Sequence, residues 1–348
     1  MKKPYHLALI LIFVQFIIFQ AKAQDWQFAI GAGGWVTDNS SCSTIDSEGN
    51  VYFGGYITNG EFGDIPVPSQ GVFLVKTDSN GNVIWVRTSS GGNAFRQTTG
   101  IATDSEDNIY VIGLFSSNMY FEDIFLDGTG LPRLFLAKYT NQGDVLWAKA
   151  FNPVNTGFSS GMDVVVDHDD FVYITGHFED TLIFDSDTLI NTNQSSTYTD
   201  IFLARLTPSG DAVWARSAGG NLDDYAYSID LHKNGTLLIA GQVYSSNANF
   251  GNIQIDDDNP REKSYIVNYD NDGNVKWIYT SNQLFSTSSE TTQITTDQKG
   301  NIYGFGNYFE TIIFEDDTLH GSGNFIIKLD DLGNRVFSKS LSTSNYPG

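Results

Sequence analysis

Three residue types return along this chain with one common period. Trp26, Trp85, Trp147, Trp214 and Trp277, with Phe337 in the sixth place, stand 59, 62, 67, 63 and 60 residues apart. Gly55, Gly113, Gly176, Gly241 and Gly306 follow at 58, 63, 65 and 65. Phe62, Phe121, Phe184, Phe250 and Phe314 keep the same step. Self-similarity at a fixed period means that one supersecondary unit is stacked on copies of itself, because no single unit can bury its own apolar face. The copies run over about 35–92, 93–154, 155–221, 222–284 and 285–348.

Each unit reads as strands. In the second, IATD (101–104), NIYVIGLF (108–115), MYFED (119–123), LFLAKYT (134–140) and DVLWAKA (144–150) are rich in Val, Ile, Tyr and Phe, with Gly, Asn and Asp between them. Outside the first 23 residues no stretch keeps apolar residues at i, i+3, i+4 and i+7 for the length of a helix. Runs such as Leu134-Phe135-Leu136-Ala137 are apolar at successive positions, so both faces of the strand must be covered. The turns agree. Asp78-Ser79-Asn80-Gly81-Asn82 and Asp270-Asn271-Asp272-Gly273-Asn274 place Asp where it bonds its own backbone and Gly where φ is positive. Small antiparallel sheets sandwiched between neighbouring sheets meet every demand, which predicts an all-β fold: a β-propeller of four-stranded antiparallel blades. The recurrent Gly, late in the second strand, predicts a bulge or a close approach between blades.

The succession GN-x-Y-x-x-G, then F, then F-x-V/A-K, then D-x-x-G-N-x-x-W resembles the SBBP-type β-propeller repeats of secreted bacterial proteins. The resemblance runs from Trp26 to Ser340. It implies an extracellular or cell-surface propeller, often one module of a longer protein, and it does not specify an activity. The chain departs from that pattern in showing no recognisable sorting or adhesion domain at its C-terminus.

Ring closure has two solutions. The strand around Trp26 (Trp26 to Gly34) precedes the first complete unit. Either it joins or displaces the Phe337 strand to close five blades, the favoured arrangement, or it belongs to a sixth blade lacking three strands.

The first 23 residues read as an address. Lys2 and Lys3 precede the apolar run Leu7 to Phe19, and Ala21-Lys22-Ala23 has the small-residue spacing of a signal-peptidase site. That run is too short for a comfortable span of roughly 20 residues. Residues 1–23 are therefore expected to be a signal peptide and 24–348 a single propeller domain that is secreted, extracellular or on the outer cell surface, with the periplasm as the alternative and no membrane span after cleavage. Loss of Lys2, Lys3 and Lys22 takes the formal charge from −22 to −22 − 3 = −25. So acidic a chain lacks the clustered Lys and Arg of a nucleic-acid binder, and one Cys excludes a disulfide framework or a multi-cysteine metal site.

Motifs with chemical meaning are weak. Gly157-Phe158-Ser159-Ser160-Gly161 matches the nucleophile elbow, but a strand-like run follows where the elbow needs a helix. Asp270-x-Asp272-Gly273-Asn274 and Asp78-x-Asn80-Gly81-Asn82 resemble half of a calcium loop without its closing Glu, and hairpin turns explain the same residues. Asp256-Asp257-Asp258 reads as a solvated loop. No cofactor is expected, with calcium left open. His168, His177, His232 and His320 lack zinc-ligand spacing. The Trp turns resemble the sialidase Asp-box in position only, since Asp78, Asp270 and Asp330 lie three residues before the Gly. The once-per-blade Trp is better read as packing than as a sugar platform.

Units differ most where a Trp strand leads into the next blade, and loops on a rigid scaffold gather binding residues. Phe95, Arg96, Phe158, Asp223, Asp224, Tyr225, Phe285 and Glu290 are the candidates there, at the expected channel mouth. The favoured reading is a non-catalytic binding or scaffold module for a protein or glycan partner at the cell surface. The alternative is a carbohydrate-active enzyme, hydrolase or lyase, using carboxylates at the mouth.

Overall fold

The computed structural model describes residues 32–33, 38–67, 70–92, 96–151, 153–154, 157–193, 198–256, 262–282 and 288–341. Among them there is no helix, and the strands form five four-stranded antiparallel sheets in series. Sheet one holds Asn39–Ile45, Val51–Ile57, Gly71–Thr77 and Val83–Thr88. Sheet two holds Arg96–Thr103, Ile109–Phe121, Ile124–Tyr139 and Val145–Phe151. Sheet three holds Ser159–Val166, Val172–Phe178, Asp200–Leu206 and Ala212–Ala218. Sheet four holds Asp224–Leu231, Leu237–Val243, Lys263–Tyr269 and Val275–Thr280. Sheet five holds Ser288–Thr296, Ile302–Phe309, Gly323–Leu329 and Arg335–Ser340. In each, strands pair in chain order.

Burial on both faces follows from stacking. Tyr52, Val72, Leu74 and Trp85 of sheet one meet Val111, Phe135 and Ala137 of sheet two. Tyr110, Ile112, Leu134 and Leu136 then meet Ile174, Phe202 and Ala204. Sheets three and four join through Tyr173, Leu203 and Trp214 against Ile239, Tyr265 and Val267. Sheets four and five join through Leu238, Ala240 and Ile266 against Ile302, Phe325 and Ile327. Every position of Val172–Phe178 and Leu237–Val243 is accordingly buried. Each apolar side chain so buried contributes roughly 1.5–3 kcal/mol.

The three periodic markers are parts of two devices. The second-strand Gly pairs with a first strand that carries a β-bulge: register slips between Ser40 and Cys42, Thr98 and Gly100, Gly161 and Asp163, Ala226 and Ser228, and Thr291 and Gln293. The slip pushes a first-strand carbonyl into the space of a side chain. A Cβ on Gly55, Gly113 or Gly176 would lie 2.0 Å from the oxygen of Asn39, Gln97 or Ser160. The ring of Phe73, Phe135 or Phe202 closes the same space from the third strand, at 2.8 Å. That third-strand ring in turn receives the periodic Phe, which stands on a hairpin between strands two and three. Phe62 meets Phe73 at 4.8 Å, Phe121 meets Phe135 at 5.4 Å, Phe184 meets Phe202 at 5.5 Å and Phe314 meets Phe325 at 5.1 Å. In sheet four Phe250 meets Tyr265 at 5.2 Å. The bulge predicted from the Gly is present, and the close approach lies within each sheet.

The Trp is the second device and works between sheets. Trp85 Nε1 donates to the carbonyl of Asn141 at 3.3 Å, Trp147 to Pro208 at 3.3 Å and Trp214 to Asn271 at 3.0 Å, each acceptor lying in the outer turn of the following sheet. The Gly of that turn rests on the indole, so a Cβ on Gly210 would come within 2.8 Å of Trp147 and one on Gly333 within 2.8 Å of Trp277.

Linkers between sheets are also repeated. Ser90–Gly91, Pro153–Val154, Gly219 and Asn282 pair with the hairpin of the sheet they enter, at Met119–Tyr120, Thr181–Leu182, Asn249 and Ile313. Ala32–Gly33 pairs with Glu61–Phe62 in the same manner. The described part of the leading segment thus seats on sheet one, while Arg335–Ser340 keeps the fourth place in sheet five. Residues 26–31 and the leader lie outside the described residues, and no described helix is long and apolar enough to cross a membrane.

Candidate functional site

The start of each first strand, just before the bulge, is where the sheets cease to resemble one another. The residue one place before the paired bulge position is Asn39, Gln97, Ser160, Tyr225 or Glu290 in sheets one to five. Around these positions in sheets three and four the rings form a continuous aromatic surface. Phe158 stacks on His177 (5.5 Å between ring centres, 25°), and His177 sits edge-on to Tyr225 at 4.9 Å. Tyr225 lies parallel to Tyr227, at 6.0 Å and 8°, and Tyr244 meets Tyr225 at 6.1 Å. Tyr227 is the bulged residue of its strand, between Ala226 and Ser228.

Carboxylates border this surface. A cleft of about 300 Å³ between sheets four and five is lined by Gln242, Tyr244, Glu262, Glu290, Asn307 and Phe309, among others. Each Glu is steered by an amide: Gln242 Nε2 donates to Glu262 Oε2 at 3.2 Å, and Asn307 Nδ2 to Glu290 Oε1 at 2.9 Å. Tyr227 Oη donates to Gln242 Oε1 at 3.2 Å. Burial, with Glu290 as the nearest charge, raises the Tyr227 pKa, and burial with Glu262 does the same for Tyr244. Both phenols stay protonated as donors beside the acidic groups. Burial also drives the His177 pKa down to about 4, so its imidazole is neutral at physiological pH, with Nδ1 unpartnered.

The candidates read from sequence fall into three groups. Phe158 and Tyr225 belong to the ring surface and Glu290 to the cleft beside it, while Asp223, next to Tyr225, accepts the Thr199 amide at 3.0 Å. Asp224 is fully buried. Its Oδ1 accepts the amides of Tyr244 (3.0 Å) and Ser245 (3.2 Å), and its Oδ2 accepts the Gly220 amide and the Ser245 hydroxyl, so it clamps the linker in place. Arg96 stands apart at the start of sheet two, 2% exposed, with neither terminal nitrogen hydrogen-bonded. Phe95 and Phe285 lie outside the described residues. Sequence reasoning missed His177, Tyr227, Gln242, Tyr244, Glu262 and Asn307. The available signal was Tyr225 and Tyr227 two apart on a strand, which puts both on one face.

Other motifs resolve into construction. Ser159 of the G-x-S-x-G segment is fully buried, opens a strand, and its hydroxyl accepts the Leu134 amide at 3.1 Å. The turn aspartates hold their own loops: Asp78 Oδ1 accepts the amides of Asn80 and Asn82, and Asp270 Oδ1 those of Asp272 and Asn274. These bonds lower both carboxyl pKa values. Among the described residues no group of three or more His, Cys, Asp or Glu is placed to hold a metal.

No protein-family model matches the chain. An uncharacterised WD repeat-containing protein of Acanthamoeba polyphaga mimivirus is 34% identical over 113 residues, 30% of this chain and 8% of that one. The regulatory protein FlaEY of Caulobacter vibrioides is 28% identical over 110 residues, 32% of this chain and 11% of that one. The chain thus spans about a tenth of the length of these curated relatives. Taken with five four-stranded sheets in series, the WD-repeat match marks a repeat protein with propeller-type blades. Among solved structures, an inactive variant of virginiamycin B lyase from Staphylococcus aureus with quinupristin is similar at TM-score 0.37 and 10% identity, over 90% of this chain and 99% of that one. A tail fibre of a Staphylococcus aureus phage reaches TM-score 0.19 at 8% identity, over 86% and 83%. At those scores neither structure informs the function.

Proposed function

We propose that this is a secreted or cell-surface β-propeller module of SBBP type that binds a glycan on the mouth of its third to fifth blades. The observation that carries the reading is the run of Phe158, Tyr225, Tyr227 and Tyr244 rings beside two carboxylates, each oriented by a side-chain amide. Rings offer apolar faces to sugar C–H groups, while steered carboxylates and amides accept and donate to hydroxyls in the pattern of a small-molecule site. The chain contributes five blades in this reading.

A glycan array probed with the purified protein, repeated with EDTA, tests it. Binding that survives EDTA and disappears in Tyr225→Ala and Glu290→Gln is the expected result. Binding abolished by EDTA would place calcium in the site, and an array without signal would overturn the glycan reading in favour of a protein ligand. The second reading, a carbohydrate-active enzyme, is favoured by Glu262 and Glu290 lining one cleft. Hydrolysis or elimination of a bound glycan, lost in Glu262→Gln, would establish it.

A further inference from the structure

The faces that join successive sheets are used four times, and the two outermost faces of the series repeat their chemistry without a neighbour among the described residues. On sheet five, Tyr303, Phe305, Ile326 and Phe337 occupy the positions that Tyr52, Gly54, Leu74 and Trp85 hold on sheet one, where they pack on sheet two. Here Phe305 is 38% exposed, and a shallow groove of about 240 Å³ runs past Thr295, Tyr303, Phe305 and Ile326. Ile302–Phe309 alternates buried with accessible residues, unlike the wholly buried second strands of sheets three and four.

At the other end, Phe53, Phe73, Val75 and Val86 of sheet one hold the places of Val111, Phe135, Ala137 and Ala148, the receiving face of sheet two. Phe53 and Val86 are only partly buried. None of the buried clusters among the described residues joins sheets one and five.

The polar contacts of the interface are repeated as well. Ser41, the bulged residue of sheet one, donates its hydroxyl to the carbonyl of Thr98 in sheet two. Thr99, the bulged residue of sheet two, donates to Gly161 of sheet three at 2.7 Å and also to its own sheet at Ile112, at 3.3 Å. Thr292 is the bulged residue of sheet five, and it makes the own-sheet bond, to Phe305 at 3.3 Å. The carbonyl equivalent to those of Thr98 and Gly161 on sheet one is that of Ser40. A donor is thus present on one end face, and the position that accepts it elsewhere is present on the other.

We infer that the chain associates head to tail with a second copy of itself, the sheet-five face of one copy docking on the sheet-one face of the next as successive sheets dock within the chain. The occupant follows from continuity: the face that matches sheet five, in apolar residues and in the position of the acceptor carbonyl, is the other end of the same protein. Such an interface is heterologous, with each copy offering two different surfaces, so association builds a ring where the rotation closes and an open filament where it does not.

Sedimentation of the purified protein across a hundredfold concentration range tests this. Wild type is expected to pass from monomer to higher species, and Phe305→Asp to lower the association constant at least tenfold. Phe53→Asp should do the same from the other face, with Val86→Asp in its place should that variant not fold. The decisive experiment mixes the two variants. Phe305→Asp retains a sound sheet-one face and Phe53→Asp a sound sheet-five face, so together they should form a 1:1 dimer that neither forms alone. A wild type that stays monomeric throughout would overturn the inference. So would variants that fail to complement, or a Phe53→Asp protein that still dimerises alone, which would mean a symmetric sheet-five contact.

Discussion

The same first strands carry two regions that obey opposite rules. From the bulge onward they belong to a lock repeated in all five sheets, in which a Gly, a third-strand ring and a hairpin Phe occupy one crowded space. One or two residues earlier, at the strand starts that form the mouth in the proposed reading, the sheets share almost nothing: Gln97, Ser160, Tyr225 and Glu290 fill equivalent places. The contrast shows that the fold tolerates variety where a position lies outside the Gly–Phe lock. The bulge is the boundary between the two regimes.

Replacing the lock should therefore be far more damaging than replacing the mouth. The largest effect is expected from Gly176→Val. Its Cβ would stand 2.0 Å from the Ser160 oxygen and 2.8 Å from the Phe202 ring, and neither the bulged backbone nor the buried ring can retreat. A loss of more than about 4 kcal/mol, read as failure to fold or as a collapsed denaturant midpoint, is the expected outcome. Trp214→Ala comes next, at about 3 kcal/mol, since it empties the contact between sheets three and four. Trp214→Phe should cost only about 1 kcal/mol, the value of the indole bond to Asn271. A Phe337-like residue is thus tolerable where stacking remains.

A pH titration probes two buried carboxylates beside the linker into sheet four: Asp224, and Asp200, whose Oδ2 accepts the Thr192 amide at 2.7 Å. Burial raises the Asp200 pKa to about 6 and the Asp224 pKa to about 7. A raised carboxyl pKa means that the folded state holds protons the unfolded chain has released. Its stabilising effect is full below about pH 4 and declines as pH climbs through 6 and 7. Together the two shifts should lower the unfolding free energy by on the order of 7 kcal/mol between pH 4 and 8. Asp200→Asn should flatten that slope, and an unchanged slope would refute the assignment. The smallest effect is expected at the mouth itself: Glu290→Gln should leave stability within about 0.5 kcal/mol while weakening any ligand held in the cleft.

Much of the lock could be read from the sequence because its parts are periodic. Trp, Gly and Phe recur with the sheets, and the Asp turns mark the hairpins, so strand order and repeat boundaries follow. The Gly pointed to a bulge or a close approach between blades, but its partner could not be read, because the crowding carbonyl belongs to the neighbouring strand of the same sheet. The mouth was legible only in part. Phe158, Tyr225 and Glu290 were found by looking where repeats diverge. Glu262 and Tyr244 were not, because they flank the second and third strands of sheet four, one just before Lys263 and the other just after Val243, away from the loops where the repeats diverge. Asp224 resembled its neighbour Asp223 in sequence, yet Asp224 opens the strand fully buried on the amides of Gly220, Tyr244 and Ser245, whereas Asp223, just before the strand, accepts the Thr199 amide and hydroxyl and stays partly exposed.

The linker pairing has a further consequence. Every hairpin has its open edge covered by the segment that arrives from the preceding sheet, beginning with Ala32–Gly33 on Glu61–Phe62. A chain emerging N-terminus first therefore brings each cap into place before the hairpin that needs it has been delivered. Assembly gains a direction: each finished blade leaves a template for the next, and no hairpin has to wait with a bare edge that could recruit a stranger.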